Sequence, residues 1–149
     1  MKKRMIFGIL GFLISAGASL GQEIPQSQVP SLVVNSFQQS FSKAYDIEWE
    51  MDGELYKVEF ETGFPGKDHD VWYDKTGKLT RHKEEIAKSD LPRQVLDKIA
   101  EDFRGYRLDD IKKITEGDRV IYSLELKSFT RDWDVVFDQN GNVLSKVPD

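Results

Sequence analysis

Two histidines, His69 and His82, and the complete absence of cysteine bound the covalent chemistry available to this chain. A cysteine nucleophile is excluded, and a serine or threonine nucleophile ordinarily needs a histidine base. Neither histidine stands in a nucleophile-elbow or comparable context. His69 lies between Asp68 and Asp70, all residue types that ligate metals. In a strand the two carboxylates point to one face and the imidazole to the other, so the three do not converge on one ion. Asp138-Gln139-Asn140-Gly141-Asn142 begins like a calcium loop but lacks its length and its distal glutamate. Glu59, Glu61 and Glu125 alternate as the wet face of a strand would, and form no carboxylate pair of the kind that cleaves glycosides. The expectation is a non-enzyme with no catalytic residue, no cofactor and no metal ligand set.

Binding chemistry reads more clearly. Trp72 interrupts an otherwise polar row with a large aromatic ring, the residue type most often found as an interface anchor. Phe64 and Phe129 fall in hairpin loops, where apolar side chains gain little unless something covers them. Lys57, Glu59, Glu125 and Lys127 surround these aromatics as a charged rim. These seven residues are the expected partner-binding surface.

The elements that must position them come in two similar sets. Val29-Pro30, Val33, Phe37 and Phe41 match Leu91-Pro92, Val95, Ile99 and Phe103 at one offset. Farther on, Tyr56-Lys57-Val58-Glu59-Phe60 resembles Tyr122-Ser123-Leu124-Glu125-Leu126, and the run from Asp70 to Gly77 matches that from Asp134 to Gly141. The i, i+4 spacing of the first set predicts one apolar helix face in each unit. Ser89 and Asp90 offer cap oxygens to the second helix, with Pro92 in its first turn and Gly105 beyond its end. Tyr56, Val58 and Phe60 alternate with Lys57, Glu59 and Glu61, the pattern of a sheet buried on one face only. The open face then carries Lys57, Glu59, Glu61, Trp72, Ser123, Glu125, Lys127, Asp134 and Val136. Asp74 to Gly77 and Asp138 to Gly141 read as type I turns with a glycine bulge. The fold class is therefore α+β: two tandem helix-plus-four-stranded antiparallel sheet units, at 22–81 and 90–149. The polar segment 82–89 reads as a linker or short helix.

Residues 1–21 stand apart. Lys2, Lys3 and Arg4 precede the apolar run 5–14, and small residues follow to Gly21, the order of a secretory signal peptide. Cleavage is expected near Ser19 or before Gln22. The apolar run is shorter than the ~20 residues a membrane span needs, so export to the periplasm without stable membrane insertion is expected. Losing three cations takes the formal charge from −5 to −8. An acidic chain with no basic cluster is not a nucleic-acid binder, and its acidity favours a basic partner surface. Without cysteine, packing alone must hold the exported domain together.

The two helix-and-sheet sets, their D-x-x-G turns (DKTG, DQNG), Trp49-Glu50, the Y-x-V-E-F strand and Asp90-Leu91-Pro92 resemble the PepSY-like, β-lactamase-inhibitor-like family of exported bacterial proteins. The resemblance covers residues 28–147. It implies a sheet whose open face grips a protein in the cell envelope, in the manner of an inhibitor of an envelope enzyme such as a peptidase. The disulfide-bearing inhibitors of this architecture differ from the present chain, which has no cysteine. The other function class the open face would serve is capture of a small ligand or envelope polymer.

Overall fold

A computed structural model describes residues 21–149. The expected signal peptide lies outside the described residues except for Gly21. Nine strands and two helices follow in the order β1 (Gln22–Ile24), α1 (Ser31–Ser40), β2 (Tyr45–Asp52), β3 (Leu55–Thr62), β4 (Lys67–Tyr73), β5 (Leu79–Glu85), α2 (Arg93–Asp102), β6 (Arg107–Glu116), β7 (Arg119–Lys127), β8 (Trp133–Asp138) and β9 (Val143–Pro148). All nine strands form one open antiparallel sheet in chain order. The sheets of the two expected units are one continuous sheet, because β5 hydrogen-bonds directly to β6 from His82↔Thr115 to Glu85↔Lys112. His82 to Glu85 are thus strand, not linker, and only the residues just beyond form a short 3-10 turn, Lys88–Asp90.

Both helices cover the same face. The cross-strand row Phe60–His69–Glu84–Lys113–Tyr122–Phe137 runs from β3 to β8 on that face. Its two ends are apolar and its middle is polar. At one end α1 places Val33 and Phe37 on Trp49, Val58, Phe60, Val71 and Tyr73. At the other, α2 places Val95 and Ile99 on Tyr122, Leu124, Leu126, Val135 and Phe137. These are two cores with no residue in common. Burying a phenylalanine such as Phe37 or Phe137, each at most 1% exposed, contributes about 1.5–3 kcal/mol.

Each helix begins at a proline, Pro30 or Pro92, whose ring holds φ near the helical value (−53° and −55°). Ser89 and Asp90 do not cap α2. The Asp90 carboxylate instead accepts the Ala87 N–H at 3.2 Å and closes the 3-10 turn. Gly105, at φ +85°, follows the end of α2 as expected.

The two D-x-x-G turns do more than reverse the chain. Asp74 Oδ1 accepts the Thr76 and Lys78 N–H groups at 2.8 and 3.1 Å. Asp138 Oδ1 accepts those of Asn140 and Asn142 at 2.8 and 3.0 Å. The closing glycines sit against the helices: a Cβ at Gly77 would lie 2.7 Å from the Leu32 carbonyl, and one at Gly141 would lie 2.4 Å from the Gln94 carbonyl. Both have positive φ, +85° and +82°. Each turn therefore packs closely against one helix.

Candidate partner-binding surface

The face opposite the helices carries charge in ordered rows. Lys57 stands between Glu50 and Trp72, and Arg81 stands beyond Trp72. The next row runs Glu48, Glu59, Asp70, Lys83, Ile114 and Ile121. Lys57 Nζ lies 3.6 Å from Glu50 and 3.9 Å from Asp70, and is hydrogen-bonded to Glu59; Asp70 also pairs with Lys83 at 3.7 Å. Burial alone would lower the Lys57 ammonium. The Glu59 hydrogen bond and the charges of Asp70, Glu59 and Glu50 reverse that and hold it above the ordinary lysine value. Lys83 has fewer acids around it, and burial leaves it below that value despite Asp70.

Trp72 does lie on this face, but the exposure required of an anchor is absent. It is 7% exposed. Its cross-strand neighbours cover it: the Arg81 guanidinium carbon is 4.7 Å from the ring centroid and Lys57 Nζ 5.5 Å. Its indole N–H donates to Asp52 Oδ2 at 2.7 Å. Long basic side chains lying along an aromatic ring remove it from water as a helix would.

Glu125 is likewise no rim charge. It is 2% exposed and pairs with Lys127 at 3.2 Å, and Lys127 reaches Asp109 at 3.4 Å. Burial, then a hydrogen bond with Asp149, raises the Glu125 carboxyl above its usual range against the pull of Lys127. The Lys57–Glu59 and Glu125–Lys127 groups form separate networks, with β4, β5 and β6 between their strands.

Phe64 and Phe129 are different: both rings are fully exposed. The loops that carry them are held by hydrogen bonds. Tyr45 Oη donates to the Gly63 carbonyl at 2.8 Å, and a cis peptide joins Phe64 to Pro65. In the other loop Ser128 N–H donates to Asp132 Oδ1 at 2.9 Å, and Ser128 Oγ accepts the Arg131 N–H at 3.0 Å. Because β3 and β7 run parallel in the meander, the two hairpins project from the same end of the sheet. Four strand spacings separate them, roughly 19 Å.

At the same end, on the helix face, lies a group that the sequence reading passed over. His69 and Glu84 are direct cross-strand partners, and His82, two residues before Glu84, stands on the same face of β5. Burial lowers both imidazoles below the ordinary histidine value, against the nearby charge of Glu84. The signal was the i, i+2 pair His82 and Glu84, readable only once β5 is extended to Glu85.

No curated protein matches the chain significantly. Solved structures are similar in fold. A "putative periplasmic" protein of Bacteroides eggerthii superposes with a TM-score of 0.68 at 17% identity, over 80% of this chain and 88% of its own. A BLIP-like protein of Bacteroides fragilis does so with a TM-score of 0.64 at 19% identity, over 84% of this chain and 87% of its own. The family described as "Putative beta-lactamase-inhibitor-like, PepSY-like" matches residues 19–81 and 54–145. With its two helices on one nine-stranded open sheet and matches over most of its length, the chain belongs to this PepSY-like family.

Proposed function

We propose that this chain is an exported, non-enzymatic protein-binding module that seizes its partner with the end of the sheet from which Phe64 and Phe129 project. The carrying observation is that two fully exposed phenylalanines stand on hydrogen-bonded hairpins at one end of the molecule. Water-exposed rings on braced loops are pre-organised for insertion into apolar clefts, so little ordering cost remains at binding. Their spacing suits a standard interface of ~800 Å² per partner. The acidic balance of the chain suits a partner with a basic surface around those clefts. Covering the active region of an envelope enzyme such as a peptidase would make the module an inhibitor, as the likeness to a BLIP-like protein suggests.

Export through a cleaved segment at 1–21 belongs to the same reading. It is supported by the basic-apolar-small order of that segment and by a structural neighbour described as periplasmic. No helix among the described residues is long and apolar enough to cross a membrane. A duplicated helix-plus-four-strand unit is supported by the paired D-x-x-G turns, each docked on its own helix.

A photo-crosslinking residue at position 64, expressed in the native envelope, tests the binding surface. The expected result is a discrete adduct that disappears when Phe129→Asp is added. No adduct, or one indifferent to Phe129→Asp, would overturn it. In the purified complex Phe64→Ala should weaken binding by ~2 kcal/mol or more.

A further inference from the structure

We propose that His69 Nδ1, His82 Nε2 and Glu84 Oε2 form a binding site for a zinc-class divalent transition metal, in the polar seam between the two helix-covered cores. Their ligand atoms all lie within 4.8 Å of one another. His69 Nδ1 is 3.0 Å from His82 Nε2, which is 3.2 Å from Glu84 Oε2. A tetrahedral zinc with bonds of 2.0–2.1 Å holds its ligands roughly 3.3–3.5 Å apart. Two of the three separations are therefore within a few tenths of an ångström of that requirement.

Proton bookkeeping points the same way. With neutral rings, one N–H is available for two close contacts at His82 Nε2. If that nitrogen carries the proton, it must serve both His69 Nδ1 and Glu84 Oε2. If His69 Nδ1 carries it, the His82 lone pair faces the Glu84 carboxylate. Three electron-pair donors converge where one proton cannot satisfy them, and a cation can. The donor set of two imidazoles and one carboxylate favours zinc and its neighbours over calcium or magnesium.

The surroundings are those of a positioned site. All three ligands stand on adjacent hydrogen-bonded strands, which hold them more precisely than loops would. Thr62 Oγ1 lies 2.8 Å from the other nitrogen of His69, where it orients the ring and can accept the Nε2 proton that a metal on Nδ1 requires, as partners of metal-bound histidines do. Phe60 stacks on His69 at 4.9 Å between ring centroids, and Phe41 meets His82 edge-on at 5.4 Å. A cleft of about 410 Å³ opens beside the group, and His69 and Glu84 line it. With three protein ligands, two of them on the wall of this cleft, a coordination position is left for water or an outside group. Glu85 and Asp90 line this cleft with Lys67 and Lys113, so with Glu84 three carboxylates face two ammonium groups.

Titration of the untagged chain with zinc chloride, followed by calorimetry and by visible absorption of the cobalt(II) form, tests this. One equivalent should bind, with a tetrahedral cobalt spectrum, and excess calcium should not displace it. Removing a ligand should cost more than the 10- to 100-fold typical of an outer-shell partner, so His82→Asn and Glu84→Gln should each lose at least that. Absence of binding, displacement by calcium, or binding unchanged in both variants would overturn the site. Should His82→Asn fail to fold, Glu84→Gln on the cleft wall decides alone.

Discussion

Tyr73 shows how much a single buried atom can cost. Its ring is 1% exposed in the α1 core, and its hydroxyl is buried with no hydrogen-bond partner among the described residues. Burial pushes its pKa up to about 12. A buried polar group left unpaired costs ~1–3 kcal/mol, so Tyr73→Phe should stabilise the fold by about 1 kcal/mol in urea melts; destabilisation of that size would show a hidden partner. The sign of the pH effect follows. Between the unfolded value of 10.0 and about 12 the folded state holds a proton that the unfolded state has lost, so stability falls as pH rises through that window. Tyr73→Phe should remove its share of that loss. Little of this was legible from one-dimensional pattern. Alternation placed Trp72 on the open face correctly, which leaves its neighbour Tyr73 on the covered one. Whether an outside ring is exposed depends on what stands opposite, and Lys57 and Arg81 become the neighbours of Trp72 only through the registers of β3, β4 and β5.

Among elements, the most legible were those with a short period or an obligatory residue. The apolar stripes of α1 and α2, the alternation of β3 and β7, and both D-x-x-G turns could be read directly, because each depends on neighbours within four residues. The stretch from His82 to Glu85 could not, because four polar residues in a row show no alternation. Its strand character comes from partners distant in the pattern, β4 on one side and, on the other, β6, which lies beyond an intervening helix. That misreading also hid the His69–His82–Glu84 group, two of whose members sit on the misassigned stretch. The turns support a sharper expectation. Gly141 has φ +82° and no space for a Cβ against the Gln94 carbonyl. Strained left-handed backbone alone costs about 1–3 kcal/mol in a non-glycine residue, and here the backbone of α2 must also move away. Gly141→Ala should therefore lower stability by at least about 2 kcal/mol. Gly53→Ala is the control, at a similar φ of +61° but with nothing within 4 Å. Equal losses at the two positions by denaturant melts would show that docking of the turn on α2 contributes nothing.

On the scale of the whole molecule, one sheet carries two cores. The α1 and α2 clusters share no side chain, and the row that joins them passes through His69, Glu84 and Lys113. What couples the halves is the backbone pairing of β5 with β6, four residue pairs long. Phe37 is the hub of the first core, with ring centroids 5.4 Å from Trp49 and 5.0 Å from Phe60. Truncating a buried phenylalanine to alanine costs ~3–5 kcal/mol. If each core supports its own half, that cost is confined to the α1 half and appears as local opening. In Phe37→Ala, amides of β3 and β4 should exchange with solvent on the order of a hundred- to a thousand-fold faster, while those of β7 and β8 keep their protection. Equal acceleration in β7 and β8 would show that the β5–β6 junction transmits the full loss and that the sheet unfolds as one unit. Addition of zinc gives the second half of the measurement. A cation bound by His69 on β4 and by His82 and Glu84 on β5 staples the last strands of the α1 half, beside the junction with β6. It should slow exchange in β4 and β5 of the wild-type chain and leave β8 unchanged.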